Sequence, residues 1–148
     1  MKVININKKA KYDYYLLDTF EAGIILKGTE IKAIRQNGIN LKDAYVRINH
    51  NLEAYLLNLF IPLYENGNRF NHEERRERKL LLHKNELKKI NQEVKEKSLT
   101  IIPTKIYFSK DLVKVEIALA KGKKNYDKRE VLKAKDTQRH IQKVLKNY

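Results

Sequence analysis

The sequence predicts a mainly β fold: a small antiparallel barrel of about six strands with two or three flanking helices, followed by a basic C-terminal tail. Short runs of alternating apolar and polar residues recur along residues 1–120, and turn-forming residues separate them. Many short antiparallel strands in so small a body favour a barrel over a sandwich. A barrel of the oligonucleotide-binding (OB) type is one such solution, and the pattern by itself does not select it.

The first half of the chain combines strands with one helix. Aromatic and β-branched residues at 14–26 predict one or two strands broken at Gly23. The run "GTEIKAIRQNG" follows and predicts a short helix with Thr29 as its N-cap and Gly38 as its stop. Residues 44–61 alternate apolar and polar side chains around an Asn-His-Asn cluster, which indicates a hairpin.

The second half contains a loop, a helix and another hairpin. The run "ENGNRFNHEERRER" is polar and rich in breakers, which predicts a loop. The run "HKNELKKINQEVKEKS" has its apolar residues on one helical face and predicts a helix. Residues 99–108 and 113–120 predict a hairpin, and Pro103 predicts an edge position or a bulge in its first strand.

The net charge of +14 indicates a polyanionic partner, meaning nucleic acid or an anionic membrane. The tail, residues 121–148, has 10 basic and 3 acidic residues, a net charge of +7. The first 120 residues have 22 basic and 15 acidic residues, which gives the other +7. Half of the charge therefore lies in the last fifth of the chain.

The end of the tail has a short apolar stripe. It consists of residues at the spacing of an amphipathic helix, Ile141, Val144, Leu145 and Tyr148. A helix so short and so charged is marginal in water, because nucleation is unfavourable and like charges repel at helical spacing. The tail is therefore predicted to be disordered when free and to fold against a partner.

The residue types argue against catalysis and against a metal site. The chain has no cysteine, and its 4 histidines include no pair at i, i+4 spacing. Neither serine has the glycine-flanked setting of a nucleophile elbow. Glu73 and Glu74 lie among arginines and lysines, which favours a solvated ion-pair cluster over an acid–base pair. We therefore expect a binding protein with no catalytic residues, no metal and no cofactor.

Three segments combine cations for phosphates with flat rings for bases, the usual elements of RNA binding. They are "NKKAKYDYY" at 7–15, "RFNHEERRERK" at 69–79 and "KGKKNYDKR" at 121–129. Duplex DNA is disfavoured because no predicted helix clusters Arg and Asn on one face, as a major-groove reader would. A ribosomal or ribosome-assembly protein is the main alternative, since it would share the charge and the tail; an RNA-processing enzyme would need a catalytic constellation.

The sequence contains no apolar run of about 18 residues and no stretch typical of a signal peptide. No membrane partner is therefore expected, and a cytoplasmic location is predicted.

Five motifs occur in order along the chain: "NKKAKYDY", "FEAGIILKGTEIKAIR", "RERKLLLH", "TIIPTKIYF" and "AKGKKNYDKR". Together they resemble the SmpB family, the SsrA-binding proteins that act with transfer-messenger RNA (tmRNA) in bacterial ribosome rescue. The resemblance implies an OB-like barrel that binds the tRNA-like domain of tmRNA as a monomer, one to one. It also implies that the tail folds as a helix in the empty mRNA channel and decoding centre of a stalled ribosome, so that translation resumes on tmRNA.

The resemblance also assigns residues by position. Contacts to tmRNA, or support of that surface, are implied for Asn7, Lys8, Tyr14, Glu21, Arg35, Arg76, Arg78, Lys79 and Leu81. Ribosome binding is implied for Lys121, Gly122, Lys123, Lys124, Tyr126, Asp127, Lys128, Arg129, Val144 and Leu145. In the second set the lysines would meet RNA phosphates, Tyr126 would stack on a base, and Val144 and Leu145 would form the buried face of the folded helix.

Three positions depart from the family pattern. Thr137 stands where many members have tryptophan, so the tail lacks a large apolar anchor and is expected to bind more weakly. Glu74 stands where proline is common and Ser98 where glycine is frequent, and both changes concern loop geometry.

Overall fold

A computed structural model describes residues 2–65 and 71–123 of the chain. Its strands and helices, in chain order, are β1 Lys2–Ile6, α1 Ala10–Asp13, β2 Tyr14–Ile24, α2 Gly28–Asn37, β3 Tyr45–Ile48, β4 Ala54–Leu57, β5 Arg78–Leu81, α3 Lys84–Lys97, β6 Thr100–Ser109 and β7 Leu112–Gly122.

The strands close into a barrel. Neighbours pair antiparallel in the order β6, β3, β4, β5, β2 and β7, and β7 pairs back onto β6. The long strand β6 also receives β1, which lies along residues Lys105–Phe108, whereas β3 meets β6 at Ile101. The result is a six-stranded antiparallel barrel with a seventh strand attached, which confirms the predicted mainly β fold.

Alternation along the strands builds the core. In β7 the four apolar residues at every second position, Val113, Val115, Ile117 and Leu119, are all buried. On α3 the residues Leu87 and Ile90 are buried against the same cluster. The helix predicted for residues 83–98 therefore covers the barrel with the apolar face expected from its spacing.

Several predicted boundaries are confirmed. The α2 helix ends at Gly38, whose φ of 69° is a left-handed value that glycine adopts without a steric penalty. Pairing of β6 with β7 slips between Pro103 and Lys105, which is the predicted bulge. The predicted break at Gly23 is wrong, because β2 is a single strand that continues through this residue.

Two strands and one cap differ from the prediction. β1 was not predicted because most of its side chains are exposed or half-exposed, so "KVINI" lacks a buried face. β5 begins at Arg78, the last residue of the segment predicted as a loop, and continues over three residues for which no element was predicted. It points Arg78 inward, the reverse of the usual pattern. The N-cap of α2 is Lys27 rather than Thr29, since the helix begins at Gly28.

Candidate nucleic-acid interface

Glu21 lies on the outer face of the barrel and is held there by two neighbours. Its carboxylate accepts a hydrogen bond from the Tyr107 hydroxyl of β6 and another, at 2.8 Å, from Lys114 Nζ of β7. The three side chains meet because β6, β7 and β2 are adjacent in the barrel. The Glu21 side chain is 54% exposed, so a fixed anion is presented to solvent.

The hydrogen bonds also set the protonation states. The pKa of Glu21 is lowered because Lys114, and then Tyr107, donate to the ionised carboxylate. The pKa of Tyr107 is raised because burial disfavours the phenolate and because the hydroxyl donates to Glu21. At neutral pH the carboxylate is therefore charged, and its free lone pairs can accept from base N–H groups or a ribose 2′-OH.

Leu81 adds exposed apolar surface to this face. It pairs with Gly23 of β2, and 53% of it is exposed. A Cβ at Gly23 would lie 3.3 Å from Leu81 Cβ, so the glycine leaves room for the leucine to lie over the neighbouring strand. Glu21, Leu81 and Lys114 line one concavity of about 380 Å³.

Asn7 fixes the corner where β1 gives way to α1. Its side-chain Nδ2 donates to Pro103 O at 3.0 Å, and its backbone N–H donates to Thr104 O at 2.8 Å. Both acceptors lie at the β6 bulge, so the irregular part of β6 provides carbonyls that a regular ladder would have used.

Polar and basic side chains surround this corner. Two adjoining concavities share Asn7, Lys9 and Lys42; Tyr14 lines one of them and Lys8 the other. The larger has a volume of about 290 Å³. Asn7, Lys8 and Tyr14, which the resemblance groups together, are therefore close together in space.

The end of β7 runs beside the same corner. Gly122 pairs with Tyr14, and Lys121 is the preceding residue of the strand. Lys123 Nζ donates to a carbonyl of α1 at 2.8 Å and lies 4.9 Å from the centre of the Tyr15 ring. Residues 121–123, which were predicted as the start of the tail, are therefore in contact with β2 and α1.

A buried ion cluster joins α2 to β5. Glu30 and Arg78 are both fully buried, and Arg78 Nε donates to Glu30 Oε2 at 2.5 Å. Arg76 NH2 donates to the other carboxylate oxygen at 2.5 Å, and Lys27 N–H donates to that same oxygen at 2.8 Å. Arg78 NH1 donates to Leu59 O, so the cluster also anchors the loop that follows β4.

The cluster shifts the pKa values of both buried groups, Glu30 and Arg78. Burial opposes the charge on Glu30, yet donation from Lys27, Arg76 and Arg78 outweighs it and lowers the pKa of the carboxyl. Burial lowers the pKa of Arg78, and Glu30 opposes that shift. The carboxylate and the guanidinium therefore remain ionised and hold α2 against β5.

Arg78 lies inside the body. The resemblance groups it with the residues that contact tmRNA or support that surface, and its fully enclosed side chain is consistent with support. Arg76 is 25% exposed and donates to Glu30 and to Glu77 O. The ion-pair cluster predicted around Glu73 and Glu74 is built on Glu30 instead, and Glu73 and Glu74 offer backbone carbonyls to Arg78.

Lys79 and Arg35, two further cations predicted to contact tmRNA, lie on different elements, away from the buried ion cluster. Lys79 points outward from β5, two residues before Leu81, and pairs with Glu53 at 3.1 Å. Arg35 lies near the end of α2, where its guanidinium is 5.6 Å from the centre of the Phe108 ring. The structure thus brings the predicted tmRNA residues together in small groups rather than in one site.

Comparison with known proteins assigns the chain to a family. The family model described as "SmpB protein" matches residues 4–147. The chain is 59% identical over 147 residues to an SsrA-binding protein of Thermosipho africanus, covering 99% of this chain and 98% of that one. It is 54% identical over 147 residues to an SsrA-binding protein of Enterococcus hirae, covering 99% and 95%.

A solved structure described as "tmRNA-SmpB: a journey to the center of the bacterial ribosome" contains a similar chain. The TM-score is 0.68 and the identity 44%, and the match covers 84% of this chain and 87% of that chain. The chain belongs to the SmpB family.

Within this SmpB fold, two supporting residues were not found by sequence reasoning. Tyr107 and Lys114 hold Glu21, although they lie 86 and 93 residues from it. Glu30 was missed as well, although a local signal existed: it precedes the buried Ala33 and Ile34 by three and four positions on one helical face.

Part of the second predicted set lies outside the described residues. Lys121 and Gly122 are the last two residues of β7, and Lys123 is the last residue that the structure describes. The remaining predicted positions, Lys124, Tyr126, Asp127, Lys128, Arg129, Val144 and Leu145, lie outside the described ranges.

Metal-binding clusters and membrane-spanning helices are both absent from the described part of the chain. Residues 2–65 and 71–123 hold no group of three or more His, Cys, Asp or Glu side chains placed to bind a metal ion. In those same ranges no helix has the length and apolarity needed to cross a membrane.

Proposed function

We propose that this protein binds tmRNA through its barrel and delivers it to the empty A site of stalled ribosomes, where translation resumes on tmRNA. The observation that supports the proposal most is the end-to-end identity with SsrA-binding proteins, together with the 44% identical chain of the tmRNA–SmpB structure. The geometry agrees, since the body offers hydrogen-bonding, apolar and basic groups on its outside and a filled core within.

The outer surface of the barrel would bind the tRNA-like domain of tmRNA. At the corner, Lys8 supplies charge and Tyr14 a ring beside the anchored amide of Asn7. On the outer face, Glu21 supplies a fixed acceptor and Leu81 an apolar surface against which a base or ribose can pack. Arg78 would act indirectly, by holding α2 and β5 in place.

Residues 124–148 would engage the ribosome. Their sequence is strongly basic, which gives salt-sensitive affinity for any RNA, and the Val144–Leu145 pair would select the helical form in the mRNA channel. Since β7 ends at Gly122 and Lys123 is tied to α1, we place the junction with the body after Lys123.

The protein would perform no chemistry of its own and need no cofactor, because its task is to position one RNA within another. We propose that it acts in the cytoplasm, as a monomer bound one to one to tmRNA.

Sequencing the RNA that copurifies with the full chain tests the binding role. We expect one dominant species, tmRNA. Stoichiometric ribosomal RNA without tmRNA would favour a ribosomal or ribosome-assembly protein instead. Cleavage of RNA by the purified protein would contradict the absence of catalysis.

A peptide-tagging assay on stalled ribosomes tests the role of residues 124–148. Changing Val144 and Leu145 to Asn should abolish tagging while leaving tmRNA affinity within about twofold, because the two parts bind different RNAs. The matched control changes the nearby polar pair, Gln142→Asn and Asn147→Gln, and should tag normally. If tmRNA affinity falls with tagging, the division of labour is wrong.

A further inference from the structure

Several cations of the body already have protein partners. Within the described residues, Lys79 pairs with Glu53, Lys114 with Glu21, and the Arg76–Arg78 pair with Glu30. A cation held by a carboxylate has less charge to offer to a phosphate, because much of its field is already neutralised. The cations best placed to bind RNA are therefore those without such a partner.

Three cations without an ion-pair partner among the described residues face one groove of the body. Lys2, Arg35 and Lys110 line a space of about 750 Å³ bounded by β1, the C-terminal half of α2 and the tip of the β6–β7 hairpin. No Asp or Glu is among the residues that line it. Among residues 2–65 and 71–123, none of the three cations has a carboxylate within ion-pair distance.

The groove also contains an aromatic platform. The guanidinium of Arg35 lies over the Phe108 ring at 5.6 Å, and that ring is itself partly buried against the core. This cation–π contact holds the guanidinium near the ring, and within the described residues no hydrogen bond or ion pair occupies its N–H groups. An edge of the guanidinium can donate two parallel hydrogen bonds to a phosphate, and the outer face can stack on a base.

Strand β1 links the groove to the corner around Asn7. β1 runs from Lys2 in the groove to Ile6 in the concavity that Lys8 lines, a span of about 13 Å at the rise of an extended strand. The corner is not purely basic, since Asp13 and Asp43 line its other concavity. An RNA strand that leaves the corner along β1 would therefore reach, in the groove, cations that have no acidic side chain beside them.

We propose that the groove between β1, α2 and the β6–β7 hairpin binds the phosphodiester backbone of the same RNA that the corner binds. Lys2 and Lys110 contact phosphates, and Arg35 on Phe108 positions a phosphate and an adjoining base. The basic tail is a poor occupant because its own charge of +7 would be repelled by three cations. The proposal rests on the proposed function, since it takes tmRNA as the ligand.

The salt dependence of affinity tests the phosphate contacts. The variant Lys2→Gln/Lys110→Gln is compared with Lys88→Gln/Lys95→Gln, which removes the same charge from exposed sites on α3. Binding of the tRNA-like domain of tmRNA is measured between 50 and 200 mM salt. Loss of two phosphate contacts should make the plot of log K against log salt shallower by about 1.4–1.8. The ratio of wild-type to variant affinity should therefore fall roughly tenfold between the two salt concentrations.

A second variant tests the platform. Arg35→Lys keeps the charge but loses the flat stacked group, and it should weaken binding by about fivefold or more with the salt slope unchanged.

The outcomes separate the two proposals. Equal slopes for the groove pair and the α3 pair would overturn the phosphate contacts, and wild-type affinity in Arg35→Lys would overturn the platform. If the wild type itself fails to bind this RNA, the proposed function falls and the groove with it. All four altered lysines are exposed, and unchanged unfolding midpoints would exclude misfolding as the cause.

Discussion

Replacing Glu30 with Gln should strongly destabilise the body. Gln keeps the shape of the side chain but removes the charge that balances Arg78, which is fully buried, and Arg76, which is 25% exposed. Arg78 would keep its bonds to the carbonyls of Leu59 and Glu74, but it would carry a buried charge without a counterion. Breaking one partner of a buried pair costs about 3–5 kcal/mol. We therefore expect a loss of that size in the free energy of unfolding and a fall on the order of 10 °C in the melting temperature.

Urea unfolding followed by circular dichroism measures the loss, with Glu77→Gln as the matched control. Glu77 pairs with Arg47 at 3.8 Å, and both side chains are more than half exposed, so this change should cost less than about 0.5 kcal/mol. Equal stability of the two variants would refute the role given to the buried cluster.

The pH dependence gives an independent check on Glu30. Its pKa is lowered in the folded state, so its stabilising contribution is complete above the unfolded carboxyl pKa of about 4.3 and is lost as the pH falls through the folded value. The stability gap between the wild type and Glu30→Gln should therefore be constant near neutrality and shrink below about pH 4. A gap that persists unchanged at lower pH would contradict the sign of the shift.

Two further predictions concern local geometry. Gly38→Ala should lower the free energy of unfolding by about 1 kcal/mol, because φ is 69° at this residue. Gly28→Ala is the control: a Cβ there would meet nothing within 4 Å, so the change should be neutral or slightly stabilising in the same urea experiment. Equal effects of the two changes would contradict the role of Gly38 as the left-handed stop of α2. Tyr107→Phe should raise the pKa of Glu21 towards its ordinary value, which an NMR titration of the carboxyl carbon would detect, because one donor to the carboxylate is lost. An unchanged titration would mean that Lys114 alone sets this pKa.

Local chemistry determined much of this fold from sequence alone. Strict alternation along β7 and a 3.6-residue period along α3 each specify one buried face, and a glycine is the residue that a left-handed helix stop favours, as at Gly38. The basic character of the chain end is likewise a property of composition. The resemblance to the SmpB family rests on five such ordered stretches.

The tertiary structure alone decided which charged groups face inward. Arg78 and Lys79 are neighbours in the same basic run, yet Arg78 is enclosed with Glu30, 48 residues away, and Lys79 is only partly buried, beside Glu53. The partners of Glu21 and the addition of β1 to β6 likewise depend on segments far apart in the chain. The spacing of apolar residues in the sequence shows only on which face of a strand or helix a side chain lies. Whether a buried charge is tolerated there depends on a counterion that the closed barrel brings to it.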